Sequence, residues 1–377
     1  MELLDRIYSK TGGFMKGICW PENDLTLLSG CGIGWVRWDV PYPFEEDGSP
    51  TNGLIAYRDR CRYFASAGIR TVAISPYPKE FISRGMDVST PSGLDAAEKV
   101  CEKMADFLSD CVGCWQVSNE LMFNFRAPLS MDQIVPFLAS CARGIRRGAP
   151  DTLIGTNSTP PWDPVGCANF DALNELLGKD FLDYCGFDVY FGSWIPGGPK
   201  DYDIWTRRLY EYAKTPLILM EFGFSSKGTY YTDEKWNRFL KKYGFENEDD
   251  MVAHPDRFFQ DVLEPLAPPL ARTLRRMAPS ELGPELRASK MHLLKCWSTR
   301  GKIPHTEKGQ AKFYSQLLPM LMEIPSLAGA MIYDNRDSER CFSCGSPDCP
   351  LECGWGLLRS DGTPKPAYDV VRDCWAK

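Results

Sequence analysis

Eight short apolar runs, separated by stretches whose apolar residues recur at three- and four-residue spacing, constrain this chain more tightly than any other feature. The runs span 13–19, 33–39, 69–75, 114–119, 152–157, 185–190, 216–221 and 328–333. Runs this short suit strands buried on both faces, which is how parallel sheets read. The intervening patterns, such as 55–67, 93–108, 131–147 and 310–322, are those of amphipathic helices. Strand and helix alternating eight times predict the α/β class and a closed (β/α)8, or TIM, barrel. Gly68, ending the Ser66-Ala67-Gly68 junction, suits the left-handed turn that stops one helix and reverses the chain into the third strand.

The 377 residues exceed one barrel of about 250, so insertions must fill the difference. A single catalytic barrel domain over 1–377 is expected, with much of the excess in a helical insertion at 226–304, in the seventh βα loop. Its content, including DEKWNRFLKKYGF and EPLAPPLARTLRRM, reads as helical and polar. On the C-terminal face of the barrel it would either wall a site or run over the surface. A cysteine-rich eighth βα loop follows at 341–353.

The net charge of −7 supplies no basic field for phosphates, which argues against nucleic acid as a partner and for a neutral substrate. No window approaches the roughly 18 apolar residues of a membrane span, and MELLDRIYSKTGGF carries no signal-like apolar core. Most of the fifteen cysteines stand singly in apolar strands and helices, where thiols behave as small hydrophobes. The expectation is a protein of the reducing cytoplasm without a membrane partner. Oligomeric state leaves no mark in the sequence.

Two acidic residues end buried runs: Glu120 closes CWQVSNE, and Glu221 lies in PLILMEFG. A charge there is costly unless it faces a cavity. The C-terminal strand ends of a barrel converge on one mouth, so residues 101 apart in sequence (221 − 120) can meet across it. Cleaving a glycosidic bond with retention needs two carboxyl groups about 5–5.5 Å apart, one to protonate the leaving oxygen and one to attack the anomeric carbon. Either Glu alone would equally suit a helix cap or an ion pair. The two together, on opposite sides of one ring, favour the chemical role.

With these residues in view, the chain resembles clan A of the glycoside hydrolases over nearly its whole length. The resemblance rests on Asn119-Glu120 after the fourth strand and Glu221-Phe222-Gly223 after the seventh, with Arg37 in GIGWVRWDVPY, Tyr190 ending FDVY, and the C-terminal GWGLLRSDGTPKPAYDVV. It implies that Glu120 is the general acid/base and Glu221 the nucleophile, that Asn119 bonds the substrate 2-hydroxyl, and that Arg37 and Tyr190 flank the nucleophile. There are two departures. The eighth strand reads AMIYDNRD where many members end with Trp, which leaves Tyr333 for the floor of the site; the third ends Ser75-Pro76-Tyr77 without the His of some families. Trp194, past the sixth strand, offers a sugar ring a further aromatic face.

The charge logic agrees with these roles. Arg37 and Tyr190 would hold Glu221 as the anion, while that neighbouring charge and partial burial would keep Glu120 protonated near neutral pH. The expected function is hydrolysis of β-linked neutral sugars by double displacement through a covalent glycosyl-enzyme, on an oligosaccharide or glycoside, with no catalytic cofactor. The alternatives are a carbohydrate-binding barrel without turnover and a transglycosylase using the same two Glu residues.

Cys341, Cys344, Cys349 and Cys353 crowd the stretch CFSCGSPDCPLEC at x2, x4 and x3 spacing. Thiolates this close suit a tetrahedral structural zinc that would stiffen the rim; disulfides and free thiols are the other readings. Cys111 and Cys114 also read C-x2-C, but Cys114 begins a buried run and the pair is assigned to the core. The three histidines, His254, His292 and His305, lie in or beside the insertion, so His-ligated metallohydrolase barrels and Ser-His-Asp triads lack their parts. Gly30, Gly32 and Gly34 precede a strand instead of following one, and so read as a turn, not a dinucleotide loop.

Overall fold

The computed structural model describes residues 2–121, 129–158, 182–298 and 301–376. Eight strands close a barrel: β1 (Met15–Cys19), β2 (Trp35–Asp39), β3 (Arg70–Ile74), β4 (Val112–Gln116), β5 (Leu153–Ser158), β6 (Tyr184–Asp188), β7 (Leu217–Phe222) and β8 (Leu327–Ile332). All pair in parallel with their neighbours in sequence, and β8 returns to β1 with Met15 opposite Gly329 and Ile18 opposite Ile332. This is the (β/α)8 barrel that the eight runs predict.

The run at 114–119 differs most from its strand, because β4 ends early, at Gln116. Ser118 and Glu120 adopt left-handed φ values of 53° and 50°, which a strand does not accommodate. The polar end of the run is thus a turn that aims side chains at the barrel mouth.

The lumen is filled by Met15, Trp35, Cys114, Tyr184 and Met220, all nearly or fully buried. Gly155 makes room for the Tyr184 ring, which an added Cβ would meet at 2.4 Å. At the N-terminal end the helix Glu2–Thr11 closes the barrel: Ile7 joins the lumen core, and the Tyr8 hydroxyl donates to the Leu327 carbonyl at 3.2 Å.

Outer helices include Asn52–Ala65, Pro91–Phe107, Met131–Gly148, Pro199–Ala213, Glu307–Leu321 and Pro366–Trp375. Thr51, Thr90 and Thr306 cap three of them with side-chain oxygens that accept backbone N–H groups. Gly68 takes φ +76° where Asn52–Ala65 ends, as its position predicts. Leu25–Gly30 is helical and Gly32, at φ +71°, turns the chain into β2. No helix among the described residues is long and apolar enough to cross a membrane.

Between β7 and β8, the helices Asp233–Lys242, Glu248–Ala253, Pro268–Leu274, Pro279–Ala288 and Lys290–Leu294 pack around Trp236, Leu240, Phe258 and Leu263. A two-residue parallel pairing, Thr229–Tyr230 with Cys296–Trp297, ties the ends of this segment together; residues 299–300 lie outside the described residues. The segment's core is separate from that of the barrel and continues into the loop after β8 through Cys341, Cys349, Leu351 and Trp355.

Candidate active site

Arg37 on β2 organises the C-terminal mouth of the barrel. It is 1% exposed, and its guanidinium is satisfied on three sides. Nε donates to Gln116 Oε1 at 2.7 Å, Nη1 to Glu221 Oε1 at 2.9 Å, and Nη2 to Asn119 Oδ1 at 2.7 Å. Such a fork offsets the desolvation of a buried cation. Asn119 Oδ1 also accepts from Gln116 Nε2 at 3.0 Å and Asn157 Nδ2 at 2.6 Å. With the oxygen so occupied, the amide nitrogen of Asn119 is the group left for a ligand.

Glu221 is gripped on both oxygens, since the Tyr190 hydroxyl donates to Oε2 at 2.6 Å. Burial, and then the charge of Glu221, hold the Tyr190 phenol well above its ordinary range, so it remains a donor. Glu120 arrives from the opposite wall. One oxygen from each of Glu120, Asp188 and Glu221 lies within 4.8 Å of the other two.

The turn that delivers Glu120 is held by its neighbours. The Ser118 N–H donates to Ser75 Oγ at 3.0 Å, its hydroxyl to the Pro76 carbonyl at 2.9 Å, and the Glu120 N–H to Asn157 Oδ1 at 3.0 Å. A left-handed non-glycine residue costs about 1–2 kcal/mol and persists where its surroundings over-determine it.

The sequence reading did not single out Gln116, Asn157 or Asp188. Asp188 ends β6 at 4% exposure, and Asn157 Nδ2 donates to its Oδ2. Burial, followed by the charges of Glu221 and Glu120, pushes the Asp188 carboxyl well above the usual carboxylate range. It stands beside two catalytic candidates, with one oxygen within 4.8 Å of each. Its signal was present: an acidic residue inside the apolar run 185–190, two positions before Tyr190.

A cavity of about 1260 Å³ opens over these groups. Trp20, Trp194 and Phe342 line it with 46%, 39% and 75% of their surfaces exposed, which leaves ring faces available for stacking. Tyr333 lines the cavity, joined by a residue that the sequence reading missed. Trp355 packs edge-on against Tyr190 at 4.9 Å and Tyr333 at 6.0 Å, so an indole stands beside the strand end that lacks one. The remaining walls are acidic, with Glu22, Asp39, Asp334, Glu339 and Glu352 against Arg37 and Arg336. Burial pushes Asp334 up to about 8, against an Arg336 backbone N–H that lowers it.

None of the described lining residues comes from 226–304. That segment supports the wall from behind, through Trp297 edge-on to Trp194 at 5.3 Å and to Trp355 at 5.5 Å. The structure brings Cys341, Cys344 and Cys349 together, with His292 as their fourth neighbour. Cys353 is not one of this group, and its Sγ lies 3.7 Å from the Ser346 carbonyl. Cys111 and Cys114 are buried, with Cys114 Sγ 3.6 Å from the Tyr184 hydroxyl.

No family model matches the sequence, and no curated protein matches it. Solved structures share its fold. The catalytic domain of a GH53 protein from Ignisphaera aggregans superposes with a TM-score of 0.56 at 15% identity, over 98% of this chain and 93% of that one. A fungal β-1,4-galactanase gives 0.58 at 12% identity, over 92% and 90%. The β-D-glucuronidase of Dictyoglomus thermophilum gives 0.53 at 14% identity, over 97% of this chain and 51% of that one. The chain thus spans about half the length of that glucuronidase. What it shares with these proteins is the (β/α)8 barrel.

Proposed function

We propose that this chain is a clan A glycoside hydrolase that cleaves β-linked neutral sugars with retention, Glu221 acting as nucleophile and Glu120 as general acid/base. The observation that carries the reading is the approach of the Glu120 and Glu221 oxygens to within 4.8 Å of each other across the barrel mouth. Retaining enzymes place their carboxyl groups about 5–5.5 Å apart, whereas inverting enzymes leave about 6.5–9.5 Å for a water.

In the first step a Glu221 oxygen attacks the anomeric carbon while Glu120 gives its proton to the departing glycosidic oxygen. Arg37 and Tyr190 keep the attacking carboxylate aimed through a hydrogen bond to each oxygen. Glu120, now the anion, takes a proton from water as that water attacks the glycosyl ester, and Glu221 leaves. In this reading the Asn119 amide nitrogen donates to the sugar 2-hydroxyl beside the anomeric centre. The acidic walls support a neutral substrate, because a uronate would meet Glu22, Asp39, Glu339 and Glu352.

The test is turnover of activated aryl β-glycosides. Glu221→Gln should lower kcat roughly 10⁴-fold or more. Glu120→Ala should still release aryl groups that need no protonation, and added azide should restore turnover as a β-glycosyl azide. Near-wild-type activity of Glu221→Gln, or a first product of inverted configuration, would overturn the assignment. Binding without release by the wild type would identify a carbohydrate-binding barrel instead.

A further inference from the structure

The geometry points to a structural zinc ion held by His292, Cys341, Cys344 and Cys349, which fastens the segment between β7 and β8 to the loop that walls the cavity. One ligand atom from each of the four residues lies within 4.8 Å of the others. With zinc–sulfur bonds of about 2.3 Å and zinc–nitrogen bonds of about 2.0–2.1 Å, the corners of a tetrahedron stand about 3.5–3.8 Å apart. His292 Nδ1 lies 3.4 Å from Cys349 Sγ and 3.9 Å from Cys341 Sγ, close to those edges.

The local backbone fits a metal knuckle. Gly345 follows Cys344 at φ +78°, and its N–H donates to the Cys341 carbonyl at 2.7 Å, folding the x2 pair into one tight turn. The three thiols are 0–1% exposed in a core that is otherwise apolar, yet their sulfurs meet each other and an imidazole. Disulfide bonding would leave one of three sulfurs over and give His292 no role. Three thiolates and one neutral imidazole around Zn²⁺ leave a single net negative charge, and Lys295 Nζ stands 4.0 Å from Cys344 Sγ to balance it. Binding would release three thiol protons.

The ligands join two parts of the chain. His292 sits on the short helix Lys290–Leu294, 49 residues from Cys341 in sequence. The cysteine loop contributes Phe342, Leu351 and Glu352 to the cavity wall. The metal would therefore fix the wall to the segment that supports it.

The experiment is metal analysis of full-length protein purified without chelator, with Co²⁺ exchanged for the native ion as a spectroscopic probe. One zinc per chain is expected, and cobalt should give the intense visible bands of a tetrahedral thiolate site. Cys341→Ser and Cys349→Ser should lose the metal, His292→Ala should weaken it at least tenfold, and Cys353→Ser should keep it. His292→Cys, which preserves a fourth ligand, should keep zinc but change the cobalt spectrum, so a folding defect in His292→Ala would not decide the matter. Chelation should expose the 233–294 helices to limited proteolysis. Protein that carries no metal and takes up neither ion, bound iron in place of zinc, or a site lost in Cys353→Ser but retained in His292→Ala would each overturn the proposal. None of these readouts depends on glycosidase activity.

Discussion

Arg37 shows how one side chain sets the geometry of a whole site. Its three arms fix Gln116, Asn119 and Glu221, residues from β4, the turn after it, and β7. Lysine would keep the charge but lose the planar fork, so Arg37→Lys should lower kcat by about 10²-fold with the fold intact by circular dichroism. Asp334 gives a pH prediction. Its carboxyl is raised to about 8 by burial, so it is protonated in the folded state over a range where the unfolded chain ionises. The stability it contributes is complete below the unfolded carboxylate value of about 4 and is lost as pH rises through about 8. Asp334→Asn, which can still accept the Arg336 N–H, should therefore melt higher than wild type near pH 8, by roughly 5 °C, with the gap closing towards pH 4. Glu120, Glu221, Arg37, Asn119 and Tyr190 were legible because each is polar at or beside the end of an apolar run and matches a family pattern. Asp188, Asn157 and Gln116 carry a similar signal, but their roles depend on which strand stands next to which, and that register is not written along the chain. The left-handed backbone at Glu120 has its own outcome. Asparagine tolerates that conformation better, so Glu120→Asn should melt slightly higher than wild type while losing activity on unactivated substrates.

At the level of elements, periodicity located all eight barrel strands and the outer helices Asn52–Ala65, Pro91–Phe107, Met131–Gly148 and Glu307–Leu321. It missed where β4 stops, because Val117 carries the apolar, β-branched pattern past Gln116, although Ser118 and Asn119 are turn formers. The connections above the barrel are held by polar contacts that no pattern announces. Lys365, just before the last helix, is 1% exposed and donates to Asp337 at 2.8 Å, to Ser226 Oγ at 3.0 Å and to the Gly354 carbonyl at 3.3 Å. Lys365→Met should cost roughly 3–5 kcal/mol in denaturant unfolding, because it strands the buried Asp337 charge. Adding Asp337→Asn, which keeps an acceptor for the Gly356 N–H, should recover part of the loss. If the double variant is no more stable than the single one, the ion pair is not what holds this loop. The cysteine loop was legible as a cluster of closely spaced thiols, but its contact with His292 arises from a fold-back across 49 residues.

Across the whole molecule, the two ends of the barrel do different work. Ile7 seals the N-terminal end at 1% exposure, far from the carboxyl groups at the mouth. Ile7→Ala should cost roughly 2–4 kcal/mol of stability while leaving KM unchanged. A raised KM would mean that the two ends are coupled. At the other end, Trp355 belongs to the core of the accessory helices, yet it also lines the cavity. A saccharide stacked on the exposed ring of Phe342, on the same loop as Trp355, would brace two bodies at once. Saturation with an inhibitor should then slow hydrogen exchange in helices that the inhibitor does not touch, so occupancy of the pocket could be read from the motions of a remote appendage.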